Sequence, residues 1–220
     1  MTADLTLHYW KIPGRSSLAY LLLKASDVPF EYLDEDELEL KDTYWQGPDR
    51  SPFGQLPKLT DRKNGVVMAQ SAAVAAYAAR ITGLDGGTDL KVYANTLQYI
   101  ELEQELMQHC GKALYEGEAG SKEREQAWAS AKEKIDERLH YVVQNLHGNR
   151  FIHPGATAPT AADFAIAVST WFLSSPALWG AGFKAAFPAL EQHLADVIAS
   201  NPRVAEVLAE MDAWEAYYKI

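Results

Sequence analysis

Residues 8–17 read HYWKIPGRSS and hold a histidine, an arginine and three hydroxyls, those of Tyr9, Ser16 and Ser17. Hydroxyls beside a histidine and an arginine are groups that could do chemistry as hydrogen-bond donors, nucleophiles or bases. Further along, FGQLPKL places Gln55, Leu56 and Pro57 at the mouth of an apolar segment. Proline has no N–H to give to a ladder and belongs at the first position of a strand. A cis bond at Leu56–Pro57 would turn the Leu56 main chain outward, where an extended peptide could pair with it as an added strand. In AQSAAVAAYAAR, Ser71 stands where a helix begins and reads as its N-cap, with Gln70 before it. The free N–H groups of such a start attract an anion. Trp45, followed by QGPDR with Arg50, offers an indole donor and a guanidinium.

These residues need elements to hold them. DLTLHYW alternates as a strand and RSSLAYLLLKASD reads as a helix, so Tyr9 falls at a strand-to-helix corner. VPFEYLDE reads as a strand and ELELKDTYWQG as a short helix. LPKLTD and GVVMAQ flank RKNG, whose Asn64–Gly65 signals a hairpin, and QSAAVAAYAARITG is an alanine-rich helix stopped by Gly83. The order is β-α-β-α-β-β-α, with the first two strands expected parallel and the last two antiparallel. GLDGGTD then breaks the pattern. Residues 1–83 are expected to form an α/β domain, 84–89 a linker with its boundary near Gly86, and 90–220 an all-helical domain. In the second half Thr160 and Asp163 have the spacing of a capping box, with aspartate in the place usually held by Glu or Gln.

Bulk properties exclude some classes. The net charge of −10 argues against nonspecific binding to nucleic acid or to anionic membranes. Cys110, the single cysteine, cannot form an internal disulfide, and no zinc-type spacing exists. No apolar run is long enough for a transmembrane helix, and the first ten residues lack a basic region followed by an apolar stretch. A cytoplasmic location without a metal is the expectation.

Tyr9, Trp45, QLP and QS, in that order across a β-α-β-α-β-β-α half with helices behind, resemble the cytosolic glutathione transferases. LTLHYWKIPGR, SPFGQLPKL and AQSAAVAAYAARITGL look most like the tyrosine-using classes, the sigma class above all, with similarity also to alpha, mu and pi; TAADFAI adds the helical-domain capping motif. The resemblance implies a thioredoxin-like N-terminal domain that binds glutathione as co-substrate, a helical domain completing a pocket for a hydrophobic electrophile, and a homodimer. It implies that Tyr9 donates to the glutathione sulfur, with Arg15 supporting the site. Pro57 would be cis, with Leu56 pairing to the cysteinyl part of the tripeptide. Gln70 and Ser71 would hold the γ-glutamyl carboxylate, Trp45 would reach the glycine carboxylate, and Gln55 would line the cleft. Glu103, with Glu101 and Glu105 near it, would reach the partner's glutathione amine. Trp10, Ile12, Met107 and Tyr115 would line the electrophile pocket.

The chain departs from that pattern in two places. Asp49 stands where a lysine is usual, leaving Arg50 as the neighbouring cation, and Ser16–Ser17 replace Ala-Glu, which makes Ser16 the competitor of Tyr9. Isomerases and peroxide-reducing enzymes of the same family share the thiolate. A non-enzymatic structural relative is the alternative of a different class, opposed by the intact Tyr9, QLP and QS set. A disulfide oxidoreductase is disfavoured because the first half has no cysteine.

Overall fold

The computed structural model describes residues 3–34, 50–118, 120–176 and 178–214. Trp45 and the short helix expected over ELELKDTYWQG therefore lie outside the described residues.

The sheet is built from β1 (Leu5–Tyr9), β2 (Glu31–Asp34), β3 (Lys58–Asp61) and β4 (Val66–Ala69) in the order β2-β1-β3-β4. The parallel pairing of β1 with β2 and the antiparallel hairpin of β3 with β4 are both as expected. β1 also pairs antiparallel with β3, which makes it an interior strand, and all five of its residues are buried. Asp61 closes the hairpin, its carboxylate accepting from the Asn64 N–H at 3.1 Å and from the Asn64 amide at 2.8 Å.

Helix α1 (Ser17–Lys24) carries SLAYLLLK and buries every residue but Lys24. That pattern suits a helix covered on several sides. Its covers are α2 (Ser71–Ile81), α5 (Ala161–Leu173) and α8 (Arg203–Asp212). The remaining helices are α3 (Leu90–Leu114), α4 (Lys122–Leu146), α6 (Ala181–Ala186) and α7 (Pro188–Ser200). The sequence of α5, AADFAIAVSTWFL, is apolar almost all round, and α5 packs against α1, α3 and α7 as the axis of the helical part.

Between α2 and α3 the chain turns at Gly86, with φ 93°, and a Cβ there would stand 2.6 Å from Val92 Cγ1. Only glycine satisfies both the dihedral and the space. Asp85 is buried beside it, accepting from the Gly87 N–H at 3.0 Å and from Arg80 Nη1 at 2.6 Å. The Leu84 carbonyl accepts the Ala161 N–H at 2.8 Å, so this connection is fastened to the start of α5. That start carries the expected capping box.

Candidate active site

Tyr9 ends β1, and the chain leaves the strand through a turn in which the Ile12 N–H donates to the Trp10 carbonyl at 2.8 Å. The Tyr32 hydroxyl donates to that same carbonyl at 2.7 Å and pins the strand end from β2. The Tyr9 ring meets Trp10 edge-on, with centroids 5.2 Å apart. Burial pushes the Tyr9 phenol above its ordinary value, opposed by the Arg15 backbone N–H directed at it. The hydroxyl is therefore protonated at neutral pH and can donate.

The three hydroxyls of the opening stretch separate in space. Ser16 is fully buried beside the Tyr32 phenol and lines neither of the cavities around Tyr9. Ser17 Oγ accepts the Gly14 N–H at 2.8 Å and fixes the entry to α1. Tyr9 alone of the three faces a cavity.

Two cavities adjoin this corner. One, of about 370 Å³, is lined by Trp10, Arg15, Gly54, Gln55, Leu56, Gln70 and Ser71. Its loop is braced by Ser51, whose hydroxyl accepts the Gln55 N–H at 3.1 Å and donates to the Gln55 carbonyl at 2.7 Å. The Leu56–Pro57 bond is cis. Gln70 sits at φ 76°, a left-handed conformation that costs a non-glycine residue about 1–3 kcal/mol. It is held by its amide, which donates to Gln55 Oε1 at 2.7 Å, and by its carbonyl, which accepts the Val74 N–H at 2.9 Å. Ser71 is the first residue of α2 rather than its N-cap; its Oγ accepts from Arg15 Nε at 2.9 Å and does not cap the helix. The start of α2 thus borders the cavity without a side-chain cap.

The second cavity, of about 250 Å³, is walled by Tyr9 and Ile12 from the corner, by Met107, Gln108, Lys112 and Tyr115 along α3 and at its end, and by Phe172 of α5. Among the described residues Arg15 is common to both cavities.

The expected site residues divide accordingly. Gln55, Leu56, Gln70 and Ser71 meet in the first cavity; Tyr9, Ile12, Met107 and Tyr115 meet in the second. Trp10 corrects the reading: it lines the first cavity, not the second, because the turn after β1 breaks the strand's alternation. Arg50 is exposed and lines neither. Glu103 is wholly buried within its own chain, whereas Glu101 and Glu105 line an open groove of about 710 Å³ between α3 and α4. Burial pushes the Glu103 carboxyl up to about 8, with the Gln104 amide and the Arg15 charge pulling against it. Cys110, on the same buried face, is pushed by burial up to about 12 and is inert as a thiol. Gln108, Lys112 and Phe172 escaped the sequence reading, although 108, 112 and 115 share a helical face with Met107.

The N-terminal part of this arrangement has a known counterpart. Residues 5–80 match the family model described as Glutathione S-transferase, N-terminal domain. This part of the chain is thus similar to a glutathione S-transferase N-terminal domain. Solved glutathione transferases share the fold over nearly the whole chain. The Ascaris lumbricoides glutathione S-transferase is 26% identical, with a TM-score of 0.72 over 95% of this chain and 98% of its own. A Phanerochaete chrysosporium glutathione transferase in complex with oxidized glutathione is 22% identical, with a TM-score of 0.75 over 95% and 96%. A Fasciola hepatica sigma class enzyme is 20% identical, with a TM-score of 0.71 over 94% and 96%. Comparison with curated protein sequences gave no match. The fold is thus the expected one, a thioredoxin-like domain followed by helices, as in these glutathione transferases. Among the described residues there is no cluster of metal ligands, and no helix is long and apolar enough to cross a membrane.

Proposed function

We propose that this protein is a glutathione transferase of the cytoplasm, acting as a homodimer, that conjugates glutathione to hydrophobic electrophiles. The observation that carries the reading is that Arg15 lines two cavities at once, one bordered by Gln55, Gln70 and Ser71 at the uncapped start of α2, the other largely apolar and lined by Tyr9.

In this reading glutathione lies in the first cavity. Its γ-glutamyl carboxylate meets the N–H groups at Gln70–Ser71, where the helix dipole favours an anion. The Leu56 main chain pairs with the cysteinyl residue as an added strand, and Gln55 flanks it. Trp45 and Arg50 are the candidates for the glycine carboxylate. The sulfur then lies towards Tyr9, whose protonated phenol donates to the thiolate. A free thiol near 8.5 is about 3% ionised at pH 7; one lowered by about two units is about 75% ionised, a differential stabilisation of about 2.7 kcal/mol. With an aryl halide the thiol proton leaves to solvent, the sulfur lone pair forms the new S–C bond, and halide departs with the bonding pair.

The test is glutathione binding by calorimetry together with conjugation of an aryl halide. Wild type is expected to bind and to turn over. Tyr9→Phe is expected to keep its affinity for glutathione while losing turnover about tenfold to a hundredfold, with the bound thiol titrating higher. Wild type that fails to bind glutathione, or Tyr9→Phe with full turnover, overturns the reading.

A further inference from the structure

We infer that Lys112, assisted by Gln108, selects electrophiles that carry an anionic group at the end remote from the reacting carbon; the inference rests on the reading above. The second cavity is apolar over most of its wall, through Ile12, Met107, Leu114 and Phe172. Against that wall α3 sets two polar side chains one turn apart, Gln108 and Lys112, both exposed. Arg15 also lines the cavity, but its Nε is engaged by Ser71. Lys112 is different. Among the described residues no carboxylate pairs with it, although Glu116 stands one turn further along. Beside it, Gly111 leaves the wall open, since a Cβ there would meet nothing within 4 Å.

A chain of net charge −10 repels anions as a whole. An ammonium that no described carboxylate pairs, at the edge of its apolar cavity, reverses that locally, where the low-dielectric wall strengthens the attraction. A neutral hydrophobic electrophile gains nothing from this cation. One ending in a carboxylate places its apolar body on Ile12, Met107 and Phe172 and its charge on Lys112, with the Gln108 amide as a second donor. Such contacts are made equally in the ground and transition states, so they act on KM more than on kcat.

The experiment compares two enones, 4-phenylbut-3-en-2-one bearing a para-carboxylate and the same compound bearing a para-carboxamide, as acceptors of glutathione. Wild type is expected to favour the carboxylate by about twofold to fivefold in kcat/KM, mostly through KM, with the preference shrinking as salt is added. Lys112→Gln should abolish the preference, by lowering kcat/KM for the carboxylate more than for the carboxamide; Lys112→Arg should retain it, and Lys112→Glu should reverse it. Turnover without a preference for the carboxylate, or a preference that survives in Lys112→Gln, overturns the inference and leaves the conjugation reading standing. Binding of glutathione with no turnover of either enone or of an aryl halide overturns the conjugation reading and this inference with it.

Discussion

Arg15 Nε donates to the Ser71 hydroxyl oxygen at 2.9 Å, joining the corner after β1 to the first residue of α2 across 56 positions of sequence. One side chain thereby fixes the two pieces of backbone that the proposed site needs in register, the Tyr9 strand end and the anion-accepting helix start. Its backbone N–H also points at the Tyr9 phenol. Arg15→Leu removes a charge-assisted bond worth about 1.5–3 kcal/mol, and kcat/KM for conjugation should fall about tenfold to a hundredfold. Lysine should not restore it, having no planar fork to offer both the serine and the cleft. Steady-state kinetics with glutathione as the varied substrate, beside the Arg15→Lys control, measures this; unchanged kinetics in Arg15→Leu would show that the bond positions nothing.

Ser16 should be silent in the chemistry. Its hydroxyl is buried beside Tyr32, off both cavities. Ser16→Ala is expected to leave kcat within about twofold and the ultraviolet titration of the bound thiol in place. A raised thiol pKa in Ser16→Ala, with Tyr9→Phe unaffected, would transfer the role to the serine.

The local geometry around Tyr9 is legible in the sequence because its signals are local. Tyr9 at a strand end, Pro57 after an outward leucine and Gln70–Ser71 at a helix start are each encoded within a few residues. The failures came where a side chain's direction is set by distant packing. Trp10 follows the last paired residue of β1, beyond which alternation no longer assigns a face. The cap lies one position earlier than serine preference suggests, because the left-handed Gln70, held by Gln55 from another loop, takes it. Glu103 is the instructive case. Tyr99, Ile100, Leu106, Met107, Cys110, Ala113 and Leu114 are all buried, and position 103 falls on the same stripe at helical spacing. Helical spacing thus sets Glu103 on the buried stripe of α3, although the resemblance assigns it an outward role.

That buried carboxyl gives a pH dependence of definite sign. Glu103 is raised by burial to about 8 from an ordinary value of 4.5, so between those limits the folded chain holds a proton that the unfolded chain has released. Its contribution is therefore complete below about pH 4.5 and is lost as the pH rises towards 8, by up to about 1.4 kcal/mol per pH unit. Glu103→Gln keeps an acceptor for the Gln104 amide, which donates to Glu103 Oε2 at 2.5 Å, and abolishes the titration. Urea midpoints at pH 5.5 and 7.5 should converge in Glu103→Gln, which should gain stability over wild type at the higher pH. Parallel pH profiles for the two proteins would show that Glu103 is ionised in the fold.

The largest single loss of stability should come from Asp163. It is fully buried and accepts four hydrogen bonds: from the Ile152 N–H at 2.7 Å, the Thr160 N–H at 2.7 Å, the Thr160 hydroxyl at 3.1 Å and His193 Nε2 at 3.0 Å. It thus joins the loop before α5, the start of α5 and a buried histidine of α7. Asp163→Ala leaves those donors enclosed without an acceptor, and breaking a buried charged network of this kind costs about 3–5 kcal/mol. Asp163→Asn keeps one acceptor oxygen and should cost less, while His193→Phe removes the histidine that faces the carboxylate and should be the mildest of the three. Equilibrium urea unfolding ranks them. If His193→Phe costs as much as Asp163→Ala, the histidine contact rather than the helix start carries the stability.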